Sequence, residues 1–232
     1  NRTNPADPTV AGGSLSWQSV ASVTITGGGS TAAHGSIAGY EYRTSTDGGS
    51  TWGTATTGVS VTISAEGKTL VQYRALDDAG NTSAWTPASA TAGSTARIDR
   101  TAPTAPTVSG GSAAWQSVAS ITLAPAGATD AHSGVSSHEY RTSTDGGTSW
   151  SSPAAGATLT VSSEGETLVQ FRAIDAAGNT GSWSATGTAR IDRTNPTDPT
   201  VAGGSLAWQS VASVTVTGSG ADGGDSGLAG YE

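Results

Sequence analysis

Thr69-Leu70-Val71-Gln72-Tyr73-Arg74-Ala75-Leu76 alternates in character from residue to residue: Val71, Tyr73 and Ala75 fall on one side, Gln72 and Arg74 on the other. A period of two belongs to a β-strand with one dry face and one wet face. The run ends in Asp77-Asp78-Ala79-Gly80-Asn81, whose short polar side chains and glycine suit a tight turn. Strand and turn return together as Thr167 to Asn179, with Phe171 in place of Tyr73 and Ile174 in place of Leu76.

The recurrence extends along the chain. Trp17-Gln18-Ser19-Val20-Ala21-Ser22 comes back 98 residues later as Trp115 to Ser120, and 93 residues after that as Trp208 to Ser213. Tyr42 to Gly49 is repeated unchanged as Tyr140 to Gly147, and Arg97 to Thr101 as Arg190 to Thr194. The five extra residues of the first repeat lie after Trp85. Repeat one is therefore expected over 1–99, repeat two over 100–192, and the N-terminal part of a third over 193–232. Glu232 matches Glu41 and Glu139, inside what should be a strand, so the chain reads as an excerpt from a longer array. The third segment lacks counterparts of Tyr42 to Asp99. Its apolar set, Leu206, Trp208, Val211, Val214, Val216 and Leu228, is expected to face water unless something outside the segment covers it.

Within a repeat the clearest strands are Val20 to Thr26, Tyr40 to Thr44, Val59 to Ile63, Thr69 to Leu76 and Thr95 to Asp99. A Pro-flanked Thr9-Val10 and a short run after Trp52 bring the count to about seven strands in about 93 residues, which suits an all-β sandwich of two sheets. Such a module is large enough to bury its own core.

Composition narrows the function classes. Gly accounts for 33 of 232 residues and charged residues for 12%, which describes neither a helical protein nor a charged disordered tail. No Cys is present, removing disulfides, thiolate metal sites and thiol nucleophiles. Net charge is -8, and the Arg residues recur at repeat positions instead of forming one basic patch, which disfavours nucleic acid. No apolar run approaches the roughly eighteen residues of a membrane span, so no membrane contact is expected of this segment. Lys68 is the single lysine; its counterpart in repeat two is Glu166, so a Lys-Asn isopeptide cross-link cannot be a device shared by all repeats.

Arg74 to Asn81, Arg172 to Asn179 and the junction Asp99-Arg100-Thr101-Ala102-Pro103 resemble the bacterial immunoglobulin-like repeats of large surface adhesins, extracellular stalk proteins and accessory modules of secreted enzymes. The resemblance covers the whole chain. It implies tandem immunoglobulin-like β-sandwiches arranged end to end, in an extracellular or cell-surface setting.

Ser45-Thr46-Asp47-Gly48-Gly49-Ser50-Thr51-Trp52, echoed by Ser143 to Trp150, matches the Asp-box of sialidases and related propellers. In that family the box is a folded hairpin, and a scaffold motif is not a reaction centre. No nucleophile with a base, carboxylate pair or metal cluster occurs once as a catalytic site should. His34 is matched by His132 and then by Asp225, and His138 by Tyr40 and Tyr231, so the histidines are exchanged too freely for catalysis. No catalytic residue is assigned. Glu41 and Arg43, with Arg74 on the neighbouring strand, are expected to form ion pairs across the wet face, as are Glu139, Arg141 and Arg172.

In an immunoglobulin-like topology the turn after strand F, the loop after strand B and the incoming linker share one pole. Asp99, Asp130 and Asp175 are thereby expected to converge at the first junction with His132 nearby, and Asp192, Asp222 and Asp225 at the second. Carboxylate oxygens suit Ca²⁺, the one cofactor expected, and related adhesin stalks use interdomain calcium. The competing reading has each Asp capping its own turn. Pro103 and Pro106, and later Pro196 and Pro199, restrict the linkers. The expected function is a structural module of a bacterial extracellular stalk, adhesin or fibre, partnered by neighbouring repeats and by other copies in a fibre. The rivals are a glycan- or protein-binding module and a noncatalytic appendage of a secreted glycan-degrading enzyme.

Overall fold

The computed structural model describes residues 2–232; Asn1, where the expected first repeat begins, lies outside the described residues. Repeat one forms β1 (Thr9–Ala11), β2 (Val23–Gly28), β3 (Ile37–Ser45), β4 (Thr56–Thr57), β5 (Ser60–Ile63), β6 (Gly67–Asp77) and β7 (Thr95–Ile98). These make a three-stranded sheet, β1-β2-β5, and a four-stranded sheet, β4-β3-β6-β7. Repeat two repeats the plan with β8 (Thr107–Gly110), β9 (Ile121–Ala126), β10 (Val135–Ser143), β11 (Ala154–Ala155), β12 (Leu159–Val161), β13 (Gly165–Asp175) and β14 (Gly187–Ile191). Its sheets run β8-β9-β12 and β11-β10-β13-β14. The architecture is all-β, in tandem sandwiches.

Alternation puts the core between the sheets. Val23 and Ile25 of β2 are buried while Thr24 and Thr26 are exposed. They meet Val71 and Tyr73 of β6 and Ala96 and Ile98 of β7, with Tyr40, Tyr42, Val61 and Ile63 packed around them. Burying each large apolar side chain in this way stabilises by roughly 1.5–3 kcal/mol. Gly27 is required by the same packing: a Cβ there would stand 2.4 Å from the Tyr73 ring. In repeat two, Leu123, Val161, Val169, Phe171, Ala189 and Ile191 form the equivalent core.

Two expected boundaries move. Val20 to Ser22 lies outside β2, because the chain first uses Gln18 to bridge Ile98 in parallel: Gln18 N–H donates to Arg97 O at 3.0 Å and Asp99 N–H to Gln18 O at 3.1 Å. This strap covers the free edge of β7, the usual reason for protecting an edge strand. Gln116 and Ile191 do the same in repeat two. β3 starts at Ile37, ahead of the expected Tyr40, through an irregularity between Ile37 and Gly39.

In the third segment β15 (Thr200–Ala202) pairs with β16 (Thr217–Ser219), and with no other strand among the described residues, followed by a 3-10 turn at Gly224–Ser226. Leu206 and Trp208 are fully exposed, and Val211, Val214 and Val216 are about half exposed or more. By contacts the chain divides into two compact units. The first contains residues up to Thr104 with Ala128–Ser137 and Ala173–Ser182, and the second the remainder. Among the described residues no helix is long and apolar enough to cross a membrane.

Candidate functional site

The first unit gathers three carboxylates from three sequence-distant positions. Asp99 follows β7, Asp130 lies in the loop between β9 and β10, and Asp175 ends β13. One oxygen from each lies within 4.8 Å of the others. Asp99 and Asp175 are buried, Asp130 half-buried.

Local turn chemistry positions each group. Asp175 Oδ1 accepts the N–H groups of Ala177 and Asn179, both at 2.8 Å, and its Oδ2 accepts Asn179 Nδ2 at 2.7 Å. Asp130 Oδ2 accepts three backbone N–H groups, from His132, Ser133 and Gly134, at 2.8 to 3.0 Å. Burial alone would raise the Asp130 pKa, but these donors outweigh it and hold the carboxyl below its ordinary value. Asp99 accepts Thr101 N–H on Oδ1 and Ser133 N–H on Oδ2, each at 3.0 Å. Oδ1 of Asp130 is different: it is buried and has no hydrogen-bond partner among the described residues.

The linker beside this cluster is tied down residue by residue. Asn179 Nδ2 donates to Asp99 O at 2.9 Å, and Ser19 Oγ donates to Asn179 Oδ1. Glu66 accepts Arg100 N–H and Thr101 Oγ1, both at 2.8 Å, and lies 3.6 Å from His132 Nε2. Thr104 exchanges hydrogen bonds with Thr129. Pro103 and Pro106 are buried. Each of these partners is a single side chain at unremarkable spacing, so neither Glu66 nor the Asn179 reach was evident from sequence.

The second trio does not assemble in this way; among the described residues no other group of three His, Asp or Glu side chains converges. Asp192 repeats the Asp99 pattern, accepting Thr194 N–H at 3.0 Å and Ser226 N–H at 2.8 Å. Asp222, however, caps its own loop by accepting Gly224 N–H at 3.1 Å, and Asp225 is exposed in the 3-10 turn near Gly165. The physical reason is register. Gly223, 93 residues beyond Asp130, holds its place, and Asp225 holds that of His132.

The Asp-box folds as a turn. Asp47 Oδ1 accepts Thr51 N–H at 3.0 Å and Ser45 Oγ at 2.7 Å, and Thr51 Oγ1 donates to Oδ2 at 2.6 Å. Gly49 adopts φ 95°, which disfavours any side chain. Both carboxylate oxygens are engaged by the turn itself, and Asp145 repeats the arrangement.

On the outer face of the four-stranded sheet, Arg74 pairs with Glu41 at 2.6 Å and Arg172 with Glu139 at 2.7 Å. Arg43 takes a different partner: its Nε and Nη2 donate to Gln72 Oε1 at 2.9 and 2.7 Å. Its guanidinium lies 4.9 Å from the Trp52 ring centre and 4.5 Å from that of Trp85, with Arg74 4.7 Å from Trp85 on the same stack. Arg141, Trp150, Trp183 and Arg172 repeat the ladder. The ladder was not legible beforehand because Trp85 arrives from the loop after β6. Each of these rings has a guanidinium group within 5 Å of its centre.

No family model matches the chain, and no curated protein matches it. Among solved structures, the chicken CNTN1 FN1-FN3 domains align at 16% identity over 87% of this chain and 71% of theirs, with a TM-score of 0.38. The fibronectin(III)-like modules of Clostridium thermocellum CbhA align at 14% identity over 79% of this chain and 94% of theirs, with a TM-score of 0.32.

Proposed function

We propose that this chain is a noncatalytic structural segment of a bacterial extracellular stalk, adhesin or fibre, in which repeated sandwiches set length and a calcium-bound linker sets stiffness. One observation carries the reading: the linker residue Asp99 meets Asp130 and Asp175 where Asp130 Oδ1 is buried without a partner. The donor set fits a hard cation, since all three residues offer carboxylate oxygen, and Ca²⁺ accepts six to eight oxygens at roughly 2.3–2.6 Å. Three carboxylates this close also repel; two unit charges about 4 Å apart cost roughly 4 kcal/mol at an effective dielectric of 20. A divalent cation would reverse the sign of that interaction. The hydrogen bonds around Asp99, Arg100, Thr101 and Thr104 favour a spacer held in one conformation.

Calorimetric titration tests it. Ca²⁺ should bind the intact chain at the Asp99 cluster, and Asp130→Asn or Asp175→Ala should weaken binding by at least about tenfold. Absence of heat and of any thermal shift between millimolar Ca²⁺ and chelator would remove calcium from the proposal. Glycosidase turnover that disappears in the double variant Asp47→Ala, Asp145→Ala would overturn the noncatalytic reading.

A further inference from the structure

Repeat one carries a charge pattern that repeat two resolves and repeat one does not. Lys68 of β6 stands directly opposite Arg97 of β7, as Glu166 of β13 stands opposite Arg190 of β14. The two arginines are placed alike, 5.9 Å from the ring centre of Trp17 and 5.8 Å from that of Trp115. In repeat two, Glu166 Oε2 accepts Arg190 Nε at 2.6 Å and lies 2.6 Å from Nη2. In repeat one an ammonium replaces that carboxylate, and Arg97 Nε is buried with no hydrogen-bond partner among the described residues. Like charges directly opposed across a strand pair repel, and a buried donor without an acceptor is costly. Glu66, in the turn that leads into β6, is already engaged by Arg100, Thr101 and His132.

We infer that Lys68 and Arg97 form a receptor for one carboxylate, supplied by an acidic side chain of a partner polypeptide. The twin repeat identifies the chemistry, because a glutamate side chain fills the equivalent place there. A carboxylate arriving in repeat one takes the planar Nε/Nη2 fork of Arg97, the geometry that arginine offers best. Lys68, a flexible stem ending in a point charge, moves aside and turns its ammonium onto the same group. Trp17 lies beside the guanidinium, as Trp115 does beside that of Arg190. The site is specific to repeat one and does not depend on the cation proposed for the Asp99 cluster.

The experiment follows the arginine Nε–H resonances of the whole chain by nitrogen-15 NMR at fixed ionic strength. The probe is N-acetylglutamate N-methylamide, with glucuronate as a separate arm. Arg97 Nε should shift saturably with the glutamate probe, while Arg190 Nε, already bound by Glu166, stays in place and serves as the control. Lys68→Glu should move the Arg97 resonance towards that of Arg190 and abolish the response. Lys68→Gln, which removes the ammonium without supplying a carboxylate, should weaken the response by about tenfold. Equal shifts at Arg97 and Arg190, or none at Arg97, would overturn the receptor. A response to glucuronate alone would overturn the polypeptide as its partner.

Discussion

Tyr73 and Phe171 occupy the same buried position in two sandwiches and differ by one hydroxyl, which donates to Ile25 O at 2.8 Å. Burial, followed by the neighbouring Tyr42, pushes the Tyr73 phenol up to about 12. A raised pKa contributes stability that is fully present below the unfolded value of about 10 and is lost as pH rises through the folded one. Tyr73→Phe should therefore cost about 0.5–1.5 kcal/mol at neutral pH while removing an alkaline unfolding step from the first unit, read by denaturant midpoints against pH. The carboxylates of the two Asp-boxes act at the other end of the scale. The hydroxyl and N–H of Thr51, then Ser45, hold Asp47 well below the ordinary carboxylate range, and Ser149 and Ser143 do the same for Asp145. Depressed values contribute stability above about pH 4 that is lost as pH falls. The double variant Asp47→Asn, Asp145→Asn should take up about two fewer protons on acid unfolding, seen as a shallower acid limb. An unchanged limb would mean that these carboxylates are not held by the turn.

At the scale of elements, the strands were legible because side-chain alternation is a local property: Val71, Tyr73 and Ala75 declare the inner face of β6 wherever the chain places it. The limits of β2 were not, since Val20 has strand character but Gln18 had already committed the chain to the edge of β7. The burial of Leu70 and Gln72, on the outer face of β6, was equally hidden, because Gln72 receives Arg43 and donates to Pro87 O at 2.8 Å. Arg43→Lys keeps the charge but loses the fork and the flat stacking surface. It should lower the stability of the first unit by about 1 kcal/mol, and Arg141→Lys that of the second by a similar amount, in urea unfolding. The β15–β16 pair stands without a covering sheet, and an isolated two-stranded hairpin is marginal in water. Amide exchange over 200–219 should be fast in a dilute monomer while β6 and β13 stay protected; equal protection would show that Leu206 and Trp208 are covered.

For the molecule as a whole, the repeat period made the tandem sandwich legible, and the common pole of its loops made a meeting of Asp99, Asp130 and Asp175 derivable. What sequence could not supply was register within the loops. A single position separates Asp222 from the place of Asp130, and that is enough to keep a second trio from forming. This asymmetry gives a calorimetric test of the calcium proposal. Ca²⁺ at 100 times its dissociation constant should stabilise the folded state that holds the Asp99 cluster by about 2.7 kcal/mol, so the transition in the scan that breaks the cluster should move upward. A scan that Ca²⁺ leaves unmoved would mean that the ion does not bind the Asp99 cluster.

The strap at Gln18 has a mechanical consequence. It runs parallel to β7, so tension on the N-terminal side of Gln18 and the C-terminal side of Ile98 pulls the two strands along their length in opposite directions. The bonds from Gln18 to Arg97 and from Asp99 to Gln18 are then loaded together in shear and must break at once, whereas an antiparallel hairpin pulled from its open end unzips one bond at a time. Gln116, with Arg190 and Asp192, builds the same clamp in repeat two, so a pulled chain meets a separate force-bearing latch in each sandwich.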